Sequence, residues 1–260
     1  MYGESVFTTM RMSDSRVLDW DLHFDRLKRG VEFLFGPFSH GDQFGDQLRE
    51  RLENCWQRES GDKILRLTLY RDQEQRGLIR PIHTSVSDLR LHLAASVLDP
   101  ARNDDSLSLR TCSAPVMPDW WPSYLKAGSY LHTIIAQKLF LKPGDDDLLY
   151  LSKNDTVTES SVANIFIVRN NKLFTAPPGP QVLEGVMRKK VLNLYGGFFS
   201  GCDEDASSLE QLYKADAVFA TNSIRGLMII GKVDNRELKL SNEMKEKLFE
   251  FKKRLMDEKA

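Results

Sequence analysis

A polar stretch near the middle of the chain most constrains its fold. Residues 99–106 have no apolar periodicity and include Pro100, which is typical of a linker between domains. The stretches on either side are each long enough to bury a core of their own. The sequence therefore predicts a small domain at residues 1–98, the linker at 99–106 and a larger domain at 107–260.

The first domain combines two kinds of apolar pattern. Alternating apolar residues predict strands at 5–12, 16–19, 65–69 and 89–93. Apolar residues at helical spacing, from Phe24 to Phe35, predict a helix that stops at Gly36, and a second helix is predicted at 43–57. We therefore expect four strands and two helices, packed as a small α/β domain.

The second domain is also predicted to be mixed α/β (α+β). Its strands are expected at 107–112, 148–151, 156–159, 165–168, 173–175 and 218–221. Helices are expected at 129–141, at 186–195 and after Ser241, which is a suitable N-cap.

Composition excludes several classes of function. The chain has 36 Lys and Arg against 37 Asp and Glu, so it has no basic field to attract nucleic acid. No apolar run is long enough to span a membrane, and no signal peptide is visible. The three cysteines are scattered, which favours a reducing, cytoplasmic setting. The five histidines are dispersed, so no metal site is expected.

Lys126 is a candidate nucleophile. It follows Trp120, Trp121 and Pro122, and it precedes a predicted helix. Partial burial among aromatic side chains favours the neutral, nucleophilic amine. Taken alone, a solvated surface lysine explains this position as well.

Glu159 is a candidate acid that faces a ring. It ends a predicted strand and precedes a run of small residues, including Ser160, Ser161 and Ala163, that leads to Asn164. A carboxylate among small and apolar neighbours requires a cationic partner. A protonated pyridine nitrogen is such a partner, and small side chains let a flat ring approach the backbone. A nearby Arg or Lys is the alternative partner.

A phosphate pocket is predicted at the start of the helix at 186–195. Gly185 lies where the chain enters this helix, so the backbone N–H groups of Val186 and Met187 point out of its N-terminus. That arrangement binds phosphate. Asn222 and Ser223 follow a buried strand and supply further hydrogen-bonding groups.

These candidates together match the needs of one cofactor. Pyridoxal 5′-phosphate requires an amine, which Lys126 offers, an acid, which Glu159 offers, and a phosphate pocket, which begins at Gly185. Arg26, on the first predicted helix, adds a cation that grips phosphate with two hydrogen bonds. The sequence therefore predicts a pyridoxal-phosphate enzyme.

Four motifs in this order resemble a known family. They begin at Gly3, His23, Val157 and Leu183, and the resemblance runs from about residue 3 to about residue 233. The chain resembles the fold-type IV, or class IV, pyridoxal-phosphate enzymes, which implies their two-domain fold and a homodimer.

The resemblance also implies roles for single residues. Lys126 would bond to the cofactor and move the substrate proton, Glu159 would meet the pyridine nitrogen, and Leu183 would pack behind the ring. The predicted cofactor contacts are Arg26, Lys126, Glu159, Ser161, Asn164, Leu183, Gly185, Val186, Met187, Asn222 and Ser223.

Within the family, the chain is most similar to the aminodeoxychorismate lyases. Phe7, Thr8 and Thr9 are similar to the lyase form of the first motif, in which aminotransferases usually have Glu at the position of Thr8. The resemblance implies that Phe7 and Thr9 lie near a small-molecule substrate, with Thr9 assisting catalysis. It also implies that Arg76 or Arg225 receives a substrate carboxylate, although simple surface charge explains either arginine as well.

Two other functions stay open at this point. The same cofactor residues suit an aminotransferase acting on D-amino acids or branched-chain amino acids. A non-catalytic binding module with the same fold is the third hypothesis. Lys126 and Glu159 argue against that third hypothesis, because a module without chemistry has no need of them.

Overall fold

In a computed structural model of the chain, the described residues are 4–38, 43–56, 61–71, 89–98, 106–113 and 119–257. They form two compact units. The first contains the described residues up to 98 together with Tyr124–Tyr130, and the second contains the rest. Most of the predicted linker at 99–106 lies outside the described residues, so that boundary stays a prediction.

The first unit is an antiparallel sheet with two helices. Its elements are β1 (Ser5–Ser13), β2 (Arg16–Val17), α1 (Trp20–Phe35), α2 (Phe44–Cys55), β3 (Lys63–Arg71) and β4 (Leu89–Val97). The strand order is β2-β1-β3-β4, which confirms the four strands and two helices predicted for this part. Strand β2 is shorter than predicted because the chain turns at Asp19, whose φ is 54°.

The two faces of β1 have different neighbours, because side chains alternate along a strand. Val6, Thr8 and Met10 are all buried on one face, and α1 packs against this strand. Phe7 and Thr9 lie on the opposite face. This alternation separates the predicted substrate residues from the side chains that hold the helix.

A short segment, Tyr124–Tyr130, returns to the first unit and runs along β1. The N–H of Phe7 donates to the carbonyl of Lys126, and the N–H of Gly128 donates to the carbonyl of Ser5, both at 2.9 Å. A Cβ at Gly128 would collide with the Ser5 hydroxyl. Glycine therefore permits the close approach that brings Lys126 beside Phe7.

The second unit is built from strands that close on themselves. Its elements are β5 (Leu107–Ser113), α3 (Leu131–Phe140), β6 (Asp147–Leu151), β7 (Val157–Ser160), β8 (Asn164–Arg169), β9 (Lys172–Phe174), α4 (Val186–Leu194), β10 (Gly201–Asp203), α5 (Leu209–Tyr213), β11 (Ala217–Asn222), β12 (Gly226–Val233), β13 (Arg236–Glu237) and α6 (Asn242–Asp257). Strands pair in the order β10-β9-β8-β11-β12-β5-β6-β7, and β7 also pairs with β8. That last pairing closes a barrel.

Alternation along the barrel strands creates two apolar layers. One cluster contains Leu149, Ile165 and Val218 with residues from every strand of the closed ring, so it fills the barrel interior. The other contains Phe166 and Phe219 with residues of α4 and α6. These helices therefore cover the outside of β8 and β11, which fixes the start of α4 against the end of the two strands.

Candidate active site

Lys126 lies among aromatic rings. Its Nζ donates a hydrogen bond to Tyr130 Oη at 2.8 Å and lies 4.8 Å from the centroid of the Phe7 ring. The rings of Phe7 and Tyr130 meet edge to face, with centroids 5.4 Å apart. We call Phe7, Lys126 and Tyr130 the lysine cluster. The rings exclude water from part of the amine, and the phenol is a group that can exchange a proton with it.

The sequence pattern did not single out Tyr130. A signal was present, because residues four apart face each other on a helical turn and Tyr130 follows Lys126 by four. The segment is not a helix, however, and the contact results from its pairing with β1. The spacing of four therefore matched this contact without the helical turn that usually causes it.

Thr9 lies beside an arginine that the sequence pattern also missed. Its cross-strand partner on β3 is Arg66, an exposed residue. The guanidinium carbon of Arg66 lies 3.8 Å from the centroid of the Phe7 ring. The predicted substrate residues Phe7 and Thr9 therefore share one face of the sheet with a cation. Arg66 is one of the polar residues that alternate with the leucines of β3, so the pattern placed it on the polar face of the strand but gave no reason to single it out.

Arg26 belongs to α1 and contacts the face of the same sheet that this helix covers. Its Nη2 donates to Thr8 Oγ1 at 3.0 Å, and Thr8 Oγ1 lies 2.7 Å from His23 Nδ1. All three residues are buried. We call Thr8, His23 and Arg26 the arginine cluster. Because a guanidinium keeps its charge in proteins, the cluster contains a buried cation.

Glu159 is the last but one residue of β7 and is oriented by groups of the second unit. Its Oε2 accepts a hydrogen bond from the N–H of Leu183 at 2.9 Å and a longer one from Asn164 Nδ2 at 3.3 Å. Asn164 Nδ2 also donates to the carbonyl of Leu183 at 2.8 Å. We call Glu159, Asn164 and Leu183 the glutamate turn. Two donors fix this carboxylate in one orientation, as a ring-facing acid requires.

The start of α4 is an uncapped helix N-terminus. Gly185 is extended and supplies no side-chain cap, so the N–H groups of Val186 and Met187 have no acceptor within the helix. A Cβ at Gly185 would collide with Asn164 Oδ1. Glycine therefore lets Asn164 of the glutamate turn lie directly against residue 185, and the phosphate pocket at this helix start stays a prediction.

A buried hydroxyl lies next to the glutamate turn. Thr221 and Asn164 are cross-strand partners on β11 and β8, and Thr221 is on the same face of β11 as Phe219, which packs in the cluster with α4. Among the described residues, Thr221 Oγ1 is buried without a hydrogen-bond partner. An unsatisfied buried hydroxyl is costly, so this atom marks a place for a polar ligand.

The end of β11 and the turn that follows it contain three of the predicted residues. Asn222 Oδ1 accepts from the N–H groups of Ile224 at 3.0 Å and Arg225 at 2.9 Å. Its side chain therefore stabilises the turn. Ser223 and Arg225 are half-buried in the same turn. Their predicted roles stay predictions, and Arg76 lies outside the described residues.

Ser161 is tied into a polar network beneath α3. Its hydroxyl donates to the Asp147 carboxylate and accepts from Gln137 Nε2 at 3.0 Å. Nearby, burial raises the pKa of Tyr150 to about 12, and burial together with the Asp147 charge raises the pKa of Cys112 to about 11. Both groups are therefore neutral near pH 7, so neither suits acid–base or nucleophilic work.

In the described part of the chain, no helix is long and apolar enough to cross a membrane. No three or more His, Cys, Asp or Glu side chains in those residues are grouped to hold a metal ion.

The first unit contains a lysine among aromatic rings, and the second contains an oriented carboxylate and an uncapped helix N-terminus beside a closed barrel. Groups of these kinds are what a pyridoxal-phosphate enzyme requires. The sequence pattern of the family Amino-transferase class IV matches residues 5–233, and the chain belongs to that family. Its cofactor is pyridoxal 5′-phosphate.

Curated relatives agree with this assignment. The probable branched-chain-amino-acid aminotransferase of Aquifex aeolicus is 30% identical over 147 residues, which are 56% of this chain and 43% of that protein. The putative branched-chain-amino-acid aminotransferase of Methanocaldococcus jannaschii is 25% identical over 237 residues, which are 91% of this chain and 81% of that one.

Solved structures share the fold. The branched-chain amino acid aminotransferase of Escherichia coli superposes with a TM-score of 0.84 at 23% identity, covering 100% of this chain and 88% of that one. A putative 4-amino-4-deoxychorismate lyase of Legionella pneumophila gives 0.79 at 24% identity, covering 97% and 91%. The pyridoxal-phosphate-bound form of a hypothetical aminotransferase of Mycobacterium tuberculosis gives 0.78 at 20%, covering 98% and 88%. The predicted two-domain fold is confirmed.

The residues present fit the cofactor. Its aldehyde requires an amine, its ring nitrogen an acid, and its phosphate several donors. Each unit has groups of these kinds: Lys126 is an amine in the first, and Glu159 and the uncapped amides of Val186 and Met187 are an acid and donors in the second. Thr221 is a further buried hydroxyl of the second unit.

Proposed function

We propose that the protein is a pyridoxal-phosphate-dependent lyase that converts 4-amino-4-deoxychorismate to 4-aminobenzoate and pyruvate. The observation that carries the proposal is the pair of Thr9 and Arg66 beside Phe7. A hydroxyl at Thr9 is what the lyases have near their substrate, and an exposed guanidinium suits a substrate that bears carboxylates. Thr8, where aminotransferases usually have Glu, also supports the lyase.

We assign the cofactor contacts by chemistry. Lys126 bonds to the cofactor, Glu159 meets the pyridine nitrogen, and Leu183 packs behind the ring. The phosphate is held by donors from several elements, and Ser161 and Asn164 support the acid. The proposed phosphate donors are Arg26, Val186, Met187, Thr221, Asn222 and Ser223, with Gly185 allowing the close approach.

The reaction then depends on a proton that Lys126 moves. When bound, the cofactor draws electrons away from the carbon that carries the substrate amine. Lys126 takes the proton from that carbon. The electron pair becomes a ring double bond as the bond from the neighbouring ring carbon to the enolpyruvyl oxygen breaks. Lys126 returns the proton to the methylene of the leaving group, pyruvate departs, and the ring is aromatic.

Other residues position the reactants. The Tyr130 hydroxyl holds the amine of Lys126 by the 2.8 Å hydrogen bond. Thr9 hydrogen-bonds the substrate, and Arg66 receives a carboxylate by a charge-assisted hydrogen bond. Arg225 and Arg76 are the alternative carboxylate receptors.

An aminotransferase is the second candidate. The names of the curated relatives favour it, since both reported above are called branched-chain-amino-acid aminotransferases. It would use the same lysine to shift a proton reversibly, with a 2-oxo acid as the second substrate.

One assay separates the two candidates. The cofactor-loaded protein is incubated with 4-amino-4-deoxychorismate made in situ by its synthase, and 4-aminobenzoate and pyruvate are followed. Equal amounts of both, lost in Lys126→Ala, are expected. No product from protein that still shows the absorbance of bound cofactor would reject the lyase, and a screen of amino donors would follow.

We also propose that the protein is a homodimer. Helix α3 exposes apolar side chains on one face, with Leu131 67%, Ile135 48% and Leu139 70% exposed. Residues spaced by four along a helix share a face, and contiguous exposed apolar surface of this kind marks an interaction site. A second copy is the expected occupant, as the resemblance to class IV enzymes implies.

Sedimentation equilibrium tests the dimer. Leu139→Glu places a charge in the proposed contact, so we expect a shift from dimer to monomer. Phe249→Glu on α6 is the matched control, because Phe249 is also 70% exposed and lies on another helix. An unchanged mass for Leu139→Glu would show that α3 is not the contact.

A further inference from the structure

Arg188 lies in the first turn of α4 and is buried, with only 2% of its surface exposed. A charged side chain is almost never buried to this degree unless it is paired. Its Nη2 donates to the carbonyl of Ala176 at 3.0 Å and to Glu204 Oε2 at 2.7 Å. The side chain therefore ties the start of the helix to two other segments of the second unit.

The two acceptors lie at the same end of two parallel strands. Ala176 is the second residue after β9, and Glu204 directly follows β10. The two strands pair with each other, and the N–H of Thr175 donates to the carbonyl of Asp203 at 3.1 Å. The pairing therefore extends to the residues next to both acceptors. Arg188 is thus anchored to a part of the sheet whose own hydrogen bonds hold it in place.

Stability alone does not require an arginine at this position. Among the described residues, Arg188 Nε is buried without a hydrogen-bond partner, and an unsatisfied buried donor is costly. Glu204 is 47% exposed, and an ion pair that solvent reaches stabilises a fold only slightly. A buried apolar side chain of similar volume often serves a fold as well as a buried ion pair does. What Arg188 adds is therefore a fixed position for the backbone that carries it.

That backbone belongs to the amides at the start of α4. The N–H of Lys189 donates to the carbonyl of Gly185 at 3.0 Å, which closes the first turn of the helix. The three N–H groups before it, on Val186, Met187 and Arg188, have no carbonyl to bond within the helix. Arg188 therefore carries one of these amides on its backbone and the anchor on its side chain.

We propose that Arg188 is a positioning residue that holds the first turn of α4 on the ends of β9 and β10 and so directs the three amides toward the cofactor phosphate. This rests on the proposed function in that the start of α4 binds that phosphate. The charge of Arg188 is paired with Glu204 and is not itself the phosphate ligand. The side chain touches no reacting atom.

Paired titrations of the apoprotein test the proposal. Pyridoxamine 5′-phosphate and pyridoxamine differ only in the phosphate, and neither has the aldehyde that reacts with Lys126. Dissociation constants for both are measured on wild type, Arg188→Met and Glu204→Gln. We expect the phosphorylated ligand to bind about tenfold more weakly to Arg188→Met and about threefold more weakly to Glu204→Gln, as for loss of a charged hydrogen bond and its conversion to a neutral one. Affinity for pyridoxamine should not change.

Asp203→Asn is the matched control for Glu204→Gln. Asp203 precedes Glu204, is also 47% exposed and pairs with Lys172 instead of Arg188. Its ratio of the two dissociation constants should equal that of wild type. An equal change of that ratio in both variants would mean a general effect of charge and would overturn the proposal.

Two further results of the titrations would overturn the proposal. One is an unchanged ratio in Arg188→Met, or in Glu204→Gln if thermal unfolding shows that Arg188→Met is not folded. The other is an equal loss of affinity for both ligands, which would mean a purely structural role. Glu204→Gln is expected to fold, because its side chain is half exposed.

Hydrogen exchange of the apoprotein tests the anchor without a ligand. The amide of Lys189 reports the first turn of α4 through its bond to Gly185. We expect it to exchange faster in Arg188→Met than in Arg110→Met, which removes an arginine paired with Asp145 from β5 of the same unit. Equal rates in the two variants would contradict the proposal.

Failure of this inference differs from failure of the proposed function. If Gly185→Ala weakens pyridoxamine 5′-phosphate and Arg188→Met does not, the phosphate site stands and the role of Arg188 is wrong. If neither variant weakens it, the assignment of the phosphate to this helix is wrong as well. Neither result depends on whether 4-aminobenzoate is formed.

Discussion

The two units carry their candidate site residues in different ways. In the first, the lysine and arginine clusters are joined by side chains from β1, α1 and the segment Tyr124–Tyr130. In the second, the glutamate turn and the start of α4 depend on backbone groups, namely the N–H and carbonyl of Leu183 and the first amides of the helix. Side-chain contacts change with single substitutions, whereas backbone groups persist. The first unit is therefore where we expect specificity to vary, and the second is where we expect the contacts to stay constant.

The largest effect is expected at Lys126. Lys126→Ala removes both the covalent attachment and the proton transfer, so product formation should fall by at least about a thousandfold. The visible absorbance of bound cofactor should be lost as well. Lys138→Ala, in the last turn of α3, is the control that removes a lysine elsewhere. Retained absorbance in Lys126→Ala would show that another amine carries the cofactor.

Substitution of Glu159 tests the second unit and can leave the hydrogen bond from the backbone of Leu183 in place. Glu159→Gln keeps an oxygen to accept from the N–H of Leu183 but removes the charge. The loss of a charged hydrogen bond should lower turnover by about 10-fold to 100-fold, with little change in thermal stability. Steady-state kinetics and thermal unfolding check this. A large loss of stability with unchanged turnover would make Glu159 a structural residue.

Gly185 tests whether backbone packing holds the phosphate. Gly185→Ala forces the new Cβ against Asn164 Oδ1, so the glutamate turn must shift. Overpacking of this kind costs about 1–3 kcal/mol, and affinity for pyridoxal 5′-phosphate should fall by about tenfold. Gly179→Ala is the matched control, because nothing lies within 4 Å of a Cβ there. An equal affinity of the two variants for pyridoxal 5′-phosphate would contradict the packing argument.

Substitution of Arg66 is expected to have the smallest effect on activity. It separates substrate binding, which we expect the first unit to determine, from cofactor binding. Arg66→Ala should raise the KM for the carboxylate-bearing substrate severalfold, as expected for loss of one exposed charged hydrogen bond, and should leave cofactor affinity unchanged. Arg16→Ala, on the exposed part of β2, controls for the loss of a charge. A change in cofactor affinity without a change in KM would mean that Arg66 contacts the cofactor and not the substrate.

Local sequence patterns predicted helices and strands well where one face of the element is buried and the other is exposed. Helix α1 was predicted from its apolar spacing and ends at Gly36, whose φ of 94° suits glycine. Helix α6 begins after Ser241, whose hydroxyl accepts from the N–H of Met244 at 3.1 Å. Glu159 and Gly185 were singled out because strand ends and helix starts have recognisable neighbours. The division at residues 99–106 stays a prediction.

The sequence by itself determined the class of chemistry, because an amine, an acid and a helix start have residue types and an order that can be recognised along the chain. Only the tertiary structure decided which groups touch them. Tyr130 reaches Lys126, Arg66 reaches Phe7 and Thr221 reaches the glutamate turn through pairings between distant strands or segments. Such contacts depend on strand register and on which strands are neighbours, and no local periodicity encodes either.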